Sequence, residues 1–218
     1  MIQIKTIKQA RAITGGIGKA NRKMPFFSFG LNARLCKTGS ILSKNKKSPC
    51  FYCYAKRNMF NTYVVKKAHL NRHKGIKHPN FIQAFTYELN HLTKKQTEKL
   101  YFRWHDSGDL QSIKHLLKLV KISKLMKKIN FWMPTSERKY IRSYLKYKVE
   151  FPLNFSERVS SPIIDIEPKR FNYNTSSTFK KIKPINSKLC YSIKRGGKCG
   201  NCRACWHKNI RNIAYKMH

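Results

Sequence analysis

Short apolar and aromatic runs alternate with longer amphipathic stretches through the middle of this chain, and this alternation constrains the fold more than any other feature. The runs at 26–31, 100–104 and 130–133 have the length of strands, and the stretch at 112–127 has helical periodicity. Strands separated by helices favour parallel pairing, because a parallel neighbour needs a long crossover connection. We therefore predict an α/β fold, with a parallel sheet or partial (β/α) barrel, crossover helices and a C-terminal cysteine-rich metal-binding segment.

The same patterns predict the remaining elements and the domain organisation. Helices are expected within 54–73, over 81–92 and from 137 to about 148, strands over 153–159 and 163–166, and a loop over 169–188. The chain divides into a basic flexible arm at 1–25, an α/β core at 26–168 with a cysteine loop at 36–53, and a basic loop with the cysteine-rich segment at 169–218.

Polar segments follow four successive predicted strands. They comprise the cysteine loop at 36–53 and the stretches at 105–109, 135–137 and 158–160. In parallel sheets, ligands bind beyond the carboxyl ends of the strands. The sequence therefore predicts that these four segments meet at one site.

Seven cysteines fall into a group of three and a group of four. An odd number in a chain without a secretory signal argues for metal rather than for disulfides. The second group has the spacing C-x8-C-x2-C-x2-C and comprises Cys190, Cys199, Cys202 and Cys205. Cysteines at successive two-residue gaps are typical of iron–sulfur loops, whereas structural zinc more often uses separated C-x2-C pairs. The spacing favours a [4Fe–4S] cluster, with zinc as the alternative.

The first group, Cys36, Cys50 and Cys53, is one ligand short of a closed site. Three ways of filling the fourth position stay open. A histidine could complete the site, a cysteine of the second group could do so, or the position could remain open for a small chelating molecule. The histidine candidates are His69, His73 and His105. An open position is typical of reactive metal sites.

The charge of the chain indicates a polyanionic partner. It carries 47 Lys+Arg against 9 Asp+Glu, a formal net charge of +38. Such a chain repels itself unless anions neutralise it, and DNA or RNA is the expected partner. On the helix at 112–127 and just beyond it, one basic stripe could contact phosphates: Lys114, Lys118, Lys121, Lys124 and Lys128. No apolar stretch approaches the roughly 20 residues of a membrane span, and we expect a cytoplasmic protein without a membrane partner.

Several strings in the chain resemble the phage-associated gene product 88 proteins. The strings include CKTGS at 36–40, CFYCYA at 50–55, HDSGDLQS at 105–112, FWMPT at 131–135 and CRACW at 202–206. The resemblance covers most of the chain. It implies a phage or mobile-element origin, with the protein acting in a host cell.

A more distant resemblance, to radical S-adenosylmethionine enzymes, bears on chemistry. In those enzymes a three-cysteine loop after the first strand binds a [4Fe–4S] cluster; here the spacing is C-x13-C-x2-C rather than C-x3-C-x2-C. The resemblance implies that S-adenosylmethionine is a cofactor and that one or two clusters are present. It assigns cofactor contacts to an aromatic residue before the last cysteine and to polar residues at later strand ends: Tyr52, Ser107, Gly108, Asp109, Thr135, Ser136 and Arg158.

Rare acidic residues supply the candidate catalytic groups. Seven of the nine acids lie between 106 and 167. His105, Asp106 and Glu137 stand at strand ends, where they could transfer protons or support the cofactor. A radical S-adenosylmethionine-like iron–sulfur protein acting on or with nucleic acid is thus the first hypothesis. The alternative is a non-enzymatic nucleic-acid-binding protein stapled by zinc or iron–sulfur, and a nuclease holding Mg²⁺ through Asp106, Asp109 and Glu137 ranks third.

Overall fold

The computed structural model describes residues 3–19, 24, 26–97, 99–147, 150–169 and 171–217, and its centre is a parallel sheet. Seven strands form the sheet within these residues, in the order β1-β2-β3-β4-β5-β7-β6, with every pair parallel. The strands are β1 (Phe27–Phe29), β2 (Leu100–Trp104), β3 (Ile129–Thr135), β4 (Phe155–Ser160), β5 (Thr175–Phe179), β6 (Lys188–Cys190) and β7 (Asn212–Lys216). The α/β class with a parallel sheet and crossover helices is confirmed.

Six α-helices belong to the described residues. They are α1 (Ile7–Thr14), α2 (Lys37–Leu42), α3 (Tyr63–Gly75), α4 (Phe81–Thr93), α5 (Ile113–Leu125) and α6 (Arg138–Lys146). α5 connects β2 to β3 and α6 connects β3 to β4, as a right-handed parallel crossover requires. Of the helices described, none is long and apolar enough to cross a membrane.

An aromatic core joins one face of the sheet to the helices. Phe102 and Trp104 alternate along β2 towards this face, where both are fully buried. Their rings pack against Phe131 of β3 and Phe85 of α4, with centroids 4.8–5.9 Å apart. Each such ring stabilises the fold by roughly 1.5–3 kcal/mol through burial.

The C-terminal segment covers the opposite face of the sheet. The indole N–H of Trp206 donates a 2.8 Å hydrogen bond to the Phe102 carbonyl, and its ring packs on Trp132 and Tyr101. The guanidinium of Arg158 is fully buried beneath this segment. It donates to the carbonyls of four segment residues: Ala204, Cys205, His207 and Ile210. A strand residue expected to touch a cofactor therefore holds the C-terminal segment instead.

Part of the expected flexible arm at 1–25 is an ordered helix. α1 begins with a capping box between Thr6 and Gln9, and its Ala10 and Thr14 are fully buried against α4. The carboxylate of Glu88 accepts hydrogen bonds from the Thr14 hydroxyl (2.7 Å) and from a backbone N–H of the following turn. It also pairs with Arg11 at 3.1 Å. Residues 20–23 and 25 of the expected arm lie outside the described residues.

Two expectations for the C-terminal third are wrong. The stretch at 163–166 is a turn, in which Asp165 (φ 62°) accepts the backbone N–H groups of residues 180–182. The expected loop at 169–188 contains β5, and the stretch after Trp206 contains β7. β5 reads Thr-Ser-Ser-Thr-Phe, so it lacks the apolar alternation that marks a strand. The side chain of Asn212 in β7 makes the burial of β5 possible. It accepts a hydrogen bond from the Thr175 hydroxyl and donates one to the Ser177 hydroxyl.

Replacing Glu88 by alanine should loosen α1 from α4. The change leaves the Thr14 hydroxyl and a buried backbone N–H without an acceptor, at a cost of about 2–4 kcal/mol in the free energy of unfolding. Urea denaturation followed by circular dichroism measures this cost. Glu150→Ala, at an exposed position, is the control and should change it by less than about 0.5 kcal/mol. Equal midpoints for the two variants would contradict the anchoring role.

Candidate functional site

The polar segments that follow β1 to β4 meet at one pocket of about 170 Å³ at the carboxyl edge of the sheet. The segment at 36–53 contributes all three of its cysteines, and the stretch at 105–109 contributes every residue. The stretch at 134–136 and Ser160 complete the part of the lining that comes from β3 and β4. The convergence expected from the strand order is therefore present.

Backbone contacts bring the thiols of Cys36 and Cys50 to the same side of the pocket. Cys36 precedes α2, and a Cβ atom added at Gly39 would lie 3.8 Å from both sulfur atoms. Glycine thus leaves the space between the two thiols free. The Cys50 N–H donates to the Ser48 hydroxyl at 3.2 Å, which fixes the turn that carries Cys50 and Cys53.

Burial and mutual repulsion keep these thiols protonated when no cation is near. Burial is the largest cause that raises the pKa of Cys36, followed by Asp109 and by Cys53 and Cys50. Burial also raises the pKa of Cys50, against hydrogen bonds from the side chains of Ser48 and Ser136. A bound metal would reverse this, because its charge stabilises thiolate ligands.

As the side chains stand, no group of three His, Cys, Asp or Glu within the described ranges is arranged to hold a metal ion. The donor set nevertheless fits a thiolate-bound metal, since three sulfur ligands line one pocket.

Ser107 and Gly108 join the end of β2 to the end of β1. The Ser107 hydroxyl donates to the Leu31 carbonyl at 2.5 Å, and the Leu31 N–H donates to the Ser107 carbonyl at 2.7 Å. Gly108 has a φ of 76°, and a Cβ there would lie 2.7 Å from the Leu31 carbonyl oxygen. Only glycine fits this approach. These two candidate cofactor contacts therefore shape the pocket wall.

Asp109 joins the end of β2 to the end of β3. One carboxylate oxygen accepts the Leu110 N–H (2.7 Å) and the Thr135 hydroxyl (2.5 Å), and the other accepts the Ser136 N–H (2.7 Å). Burial raises the pKa of Asp109 to about 7, although these hydrogen bonds act in the opposite direction. Both Asp109 oxygens and the Thr135 hydroxyl thus have partners within the protein.

His105 and Asp106 form the floor of the pocket. Burial lowers the pKa of His105 to about 3, so its imidazole is neutral at pH 7. One Asp106 oxygen accepts the Ser28 hydroxyl at 2.9 Å, while the other is buried with no hydrogen-bond partner. A Cβ at Gly30 would overlap that second oxygen. Asp106 is accordingly the pocket carboxylate in which one oxygen accepts no hydrogen bond.

Three candidate residues lie elsewhere. Tyr52 is 42% exposed and packs edge-on against Phe51. Glu137 is fully buried, and its carboxylate accepts the Thr38 N–H at 2.7 Å, which attaches α2 and the cysteine loop to the end of β3. Arg158 binds the C-terminal segment, as described above.

The pocket also contains residues that the strand-end argument missed. Tyr54, directly after Cys53, donates from its hydroxyl to the Asp106 carbonyl at 2.5 Å. Arg103 reaches the same hydroxyl at 3.3 Å and lies over the Trp132 ring at 4.7 Å. Lys56 lines the pocket as well. Period-two alternation along β2 could have found Arg103, because Phe102 and Trp104 on either side point into the core.

The second cysteine group lies on the sheet face that the C-terminal segment covers. Cys199 and Cys205 pack against Trp132 and Trp206. The Cys205 sulfur lies 3.3 Å from the Tyr215 hydroxyl, and burial raises the Cys205 pKa to about 11. Burial and the nearby Cys190 raise the pKa of Cys199, whereas Arg103 lowers it. Arg103 therefore lies between this group and the three-cysteine pocket.

The five lysines of the expected basic stripe differ in their surroundings. Lys118 donates to the carbonyls of Ile76 (2.7 Å) and His78 (3.0 Å), so it is held against the end of α3. The other four, Lys114, Lys121, Lys124 and Lys128, are exposed.

A family model described as Gene product 88 matches residues 4–208. The search of curated proteins gave no match, and neither did the search of solved structures.

Replacing Asp109 by asparagine should destabilise the protein even without a cofactor. An amide nitrogen would face one of the three donors that now converge on the carboxylate, at a cost of about 1–3 kcal/mol. Thermal and urea unfolding of metal-depleted protein measure this cost. Glu167→Gln, which alters an exposed carboxylate with one backbone donor, is the matched control and should be near neutral. If Asp109→Asn unfolds like the wild type, the carboxylate does not join the two strand ends.

Proposed function

For this chain, which belongs to the gene product 88 family of phage proteins, we propose the function of an iron–sulfur protein of radical S-adenosylmethionine-like type. It acts on or with nucleic acid in the cytoplasm of the host cell. One observation carries the proposal: three cysteine thiols and the polar ends of β2, β3 and β4 line a single pocket at the carboxyl edge of a parallel sheet. Binding sites in parallel sheets occur at this edge.

The residues of the pocket suit a [4Fe–4S] cluster with one iron free. Cys36, Cys50 and Cys53 would be its ligands, and three thiolates leave one of four positions unfilled. When bound, such a cluster supplies an iron with an open coordination position and one electron. The three cysteines are partly buried among the side chains that line the pocket, which would limit the access of water to that position.

Contacts to a small chelating molecule would come from those pocket groups that can still make hydrogen bonds or ion pairs. These are the free oxygen of Asp106, the guanidinium of Arg103 and the hydroxyls of Ser136 and Ser160. A carboxylate such as Asp106 suits an ammonium group, and Arg103 suits a carboxylate. Ser107, Asp109 and Thr135 would act by fixing the positions of these contacts through the strand-end hydrogen bonds.

The second candidate function is nucleic-acid binding without catalysis, in which metal only stabilises the fold. Two features favour it: the internal hydrogen bonds of Ser107 and Asp109, and the way in which Arg158 anchors the C-terminal segment beside the second cysteine group. Under this function both cysteine groups hold metal only to stabilise their loops. The net charge of +38 serves nucleic-acid binding under either candidate.

Metal and sulfide content of anaerobically purified protein separates the two candidates. We expect about eight irons per chain with matching sulfide, about four of which disappear in Cys50→Ala and a different set of about four in Cys202→Ala. Ile41→Ala, on the exposed side of α2, is the control for the cysteine loop and should keep all of them. Zinc without sulfide would overturn the enzymatic proposal and support the metal-stapled protein.

S-adenosylmethionine binding is the second arm of the same test. Equilibrium dialysis of the iron-loaded protein should detect binding that Cys50→Ala abolishes and that Cys202→Ala retains, because the latter ligand lies outside the pocket. A cluster-loaded protein that does not bind S-adenosylmethionine would leave iron–sulfur binding standing and overturn the radical-type chemistry.

A further inference from the structure

A second and larger cavity, of about 570 Å³, opens on the helical side of the cysteine loop. It lies between the C-terminal end of α3, the N-terminal end of α5 and the start of α2. Its basic lining comprises Lys37, His73, Lys77, Lys114, His115 and Lys118, and none of its described lining residues is acidic. We refer to this cavity as the basic groove.

Two lysines of the basic groove are fixed in place and two stand free at its rim. Lys118 is held by the carbonyls of Ile76 and His78, and Lys37 donates to the Gln111 carbonyl at 3.0 Å. Lys77 and Lys114 are exposed. Two held lysines with two exposed lysines beside them suit an extended anion, because the exposed lysines can contact its successive charged groups.

The N-terminus of α5 adds donors to the groove. α5 has 13 residues, and Ser112 caps it by accepting the His115 N–H at 3.0 Å. The side chain of His115 is 3% exposed and lines the groove. Its Nδ1 accepts the Gln111 N–H at 3.3 Å, which places the proton of the neutral ring on Nε2. Nε2 is buried with no hydrogen-bond partner, and the His105 ring lies 5.5 Å from the His115 ring, so the groove is lined here by a neutral imidazole beside the positive end of a helix.

We propose that the basic groove binds the phosphate backbone of a nucleic-acid strand. Four lysines and a helix N-terminus are phosphate donors, and the described lining contains no Phe, Tyr or Trp ring on which a base could stack. The groove therefore binds backbone rather than reading sequence. The proposal deepens the nucleic-acid part of the proposed function and does not require the cluster.

The groove and the cysteine pocket share a wall. Gln111 lines the groove and Asp109 lines the pocket, and the Gln111 side-chain amide donates to the Asp109 carbonyl at 2.8 Å. Leu35 and Lys37 line the groove on either side of Cys36, which lines the pocket. A strand held in the groove would thus run beside the three thiols.

The test compares two pairs of exposed lysines, of which only one pair lines the groove. Lys77→Ala/Lys114→Ala should weaken binding of a short fluorescent single-stranded oligonucleotide about tenfold at physiological salt. It should also reduce the slope of log K against log salt by about 1.4, or 0.7 per lost phosphate contact. Lys121→Ala/Lys124→Ala removes the same charge from the exposed side of α5. This pair should change the affinity and the salt slope little. Circular dichroism confirms that both variants fold.

Two outcomes would overturn the proposal. Equal losses in the two pairs would mean diffuse attraction by net charge, and complete displacement of the oligonucleotide by millimolar inorganic phosphate would mean a site for a single small anion. Failure of the metal test leaves this result intact, since metal-depleted Cys50→Ala protein should bind the oligonucleotide as tightly as the wild type.

Discussion

The carboxylate of Asp109 is the contact on which the arrangement of this site depends. It accepts three hydrogen bonds at the point where β2 ends and the segment after β3 begins, and so fixes two strand ends at one distance. Thr135 passes the constraint on, because its hydroxyl also accepts the Glu137 N–H, and Glu137 holds the cysteine loop through Thr38. This chain of hydrogen bonds links the ends of β2 and β3 to the start of α2, directly after Cys36.

The two faces of the sheet are stabilised by different interactions. Aromatic burial against α4 and α5 secures one face, where Phe85, Phe102 and Trp104 exclude water. Charge-assisted hydrogen bonds secure the other, where Arg158 binds four carbonyls of the C-terminal segment. A guanidinium with fixed donor directions selects one conformation of that segment, which an apolar contact would not do. The second cysteine group is consequently held in place by an arginine.

The sequence predicted the elements in which the apolar residues clearly mark the buried face. β2 and β3 are aromatic, α5 has a regular amphipathic pattern, and their strand ends converge as parallel connection demands. It failed for β5, because Thr and Ser become buried only through partners such as Asn212, which lies 35 residues further along. It also did not show that Arg158 contacts the C-terminal segment. Five of the six β4 residues are buried, so alternation cannot distinguish the face beneath the C-terminal segment from the pocket. Long-range polar partners carry that information, and a single sequence does not display them.

A common wall gives the basic groove and the cysteine pocket a fixed relation. The segment from Asp109 to Ser112 lines the pocket at one end and caps α5 at the other. Asp109 accepts hydrogen bonds from Leu110 and Gln111, and Ser112 accepts one from His115, so the segment has little freedom. Lysines in such a basic chain are costly to gather, because they repel one another unless an anion lies between them. Gathering four of them beside Cys36, with no acid among the described lining residues, raises the affinity of that one position for phosphate. If the groove binds a phosphate backbone as proposed, the excess charge of the chain would orient that polyanion towards Cys36.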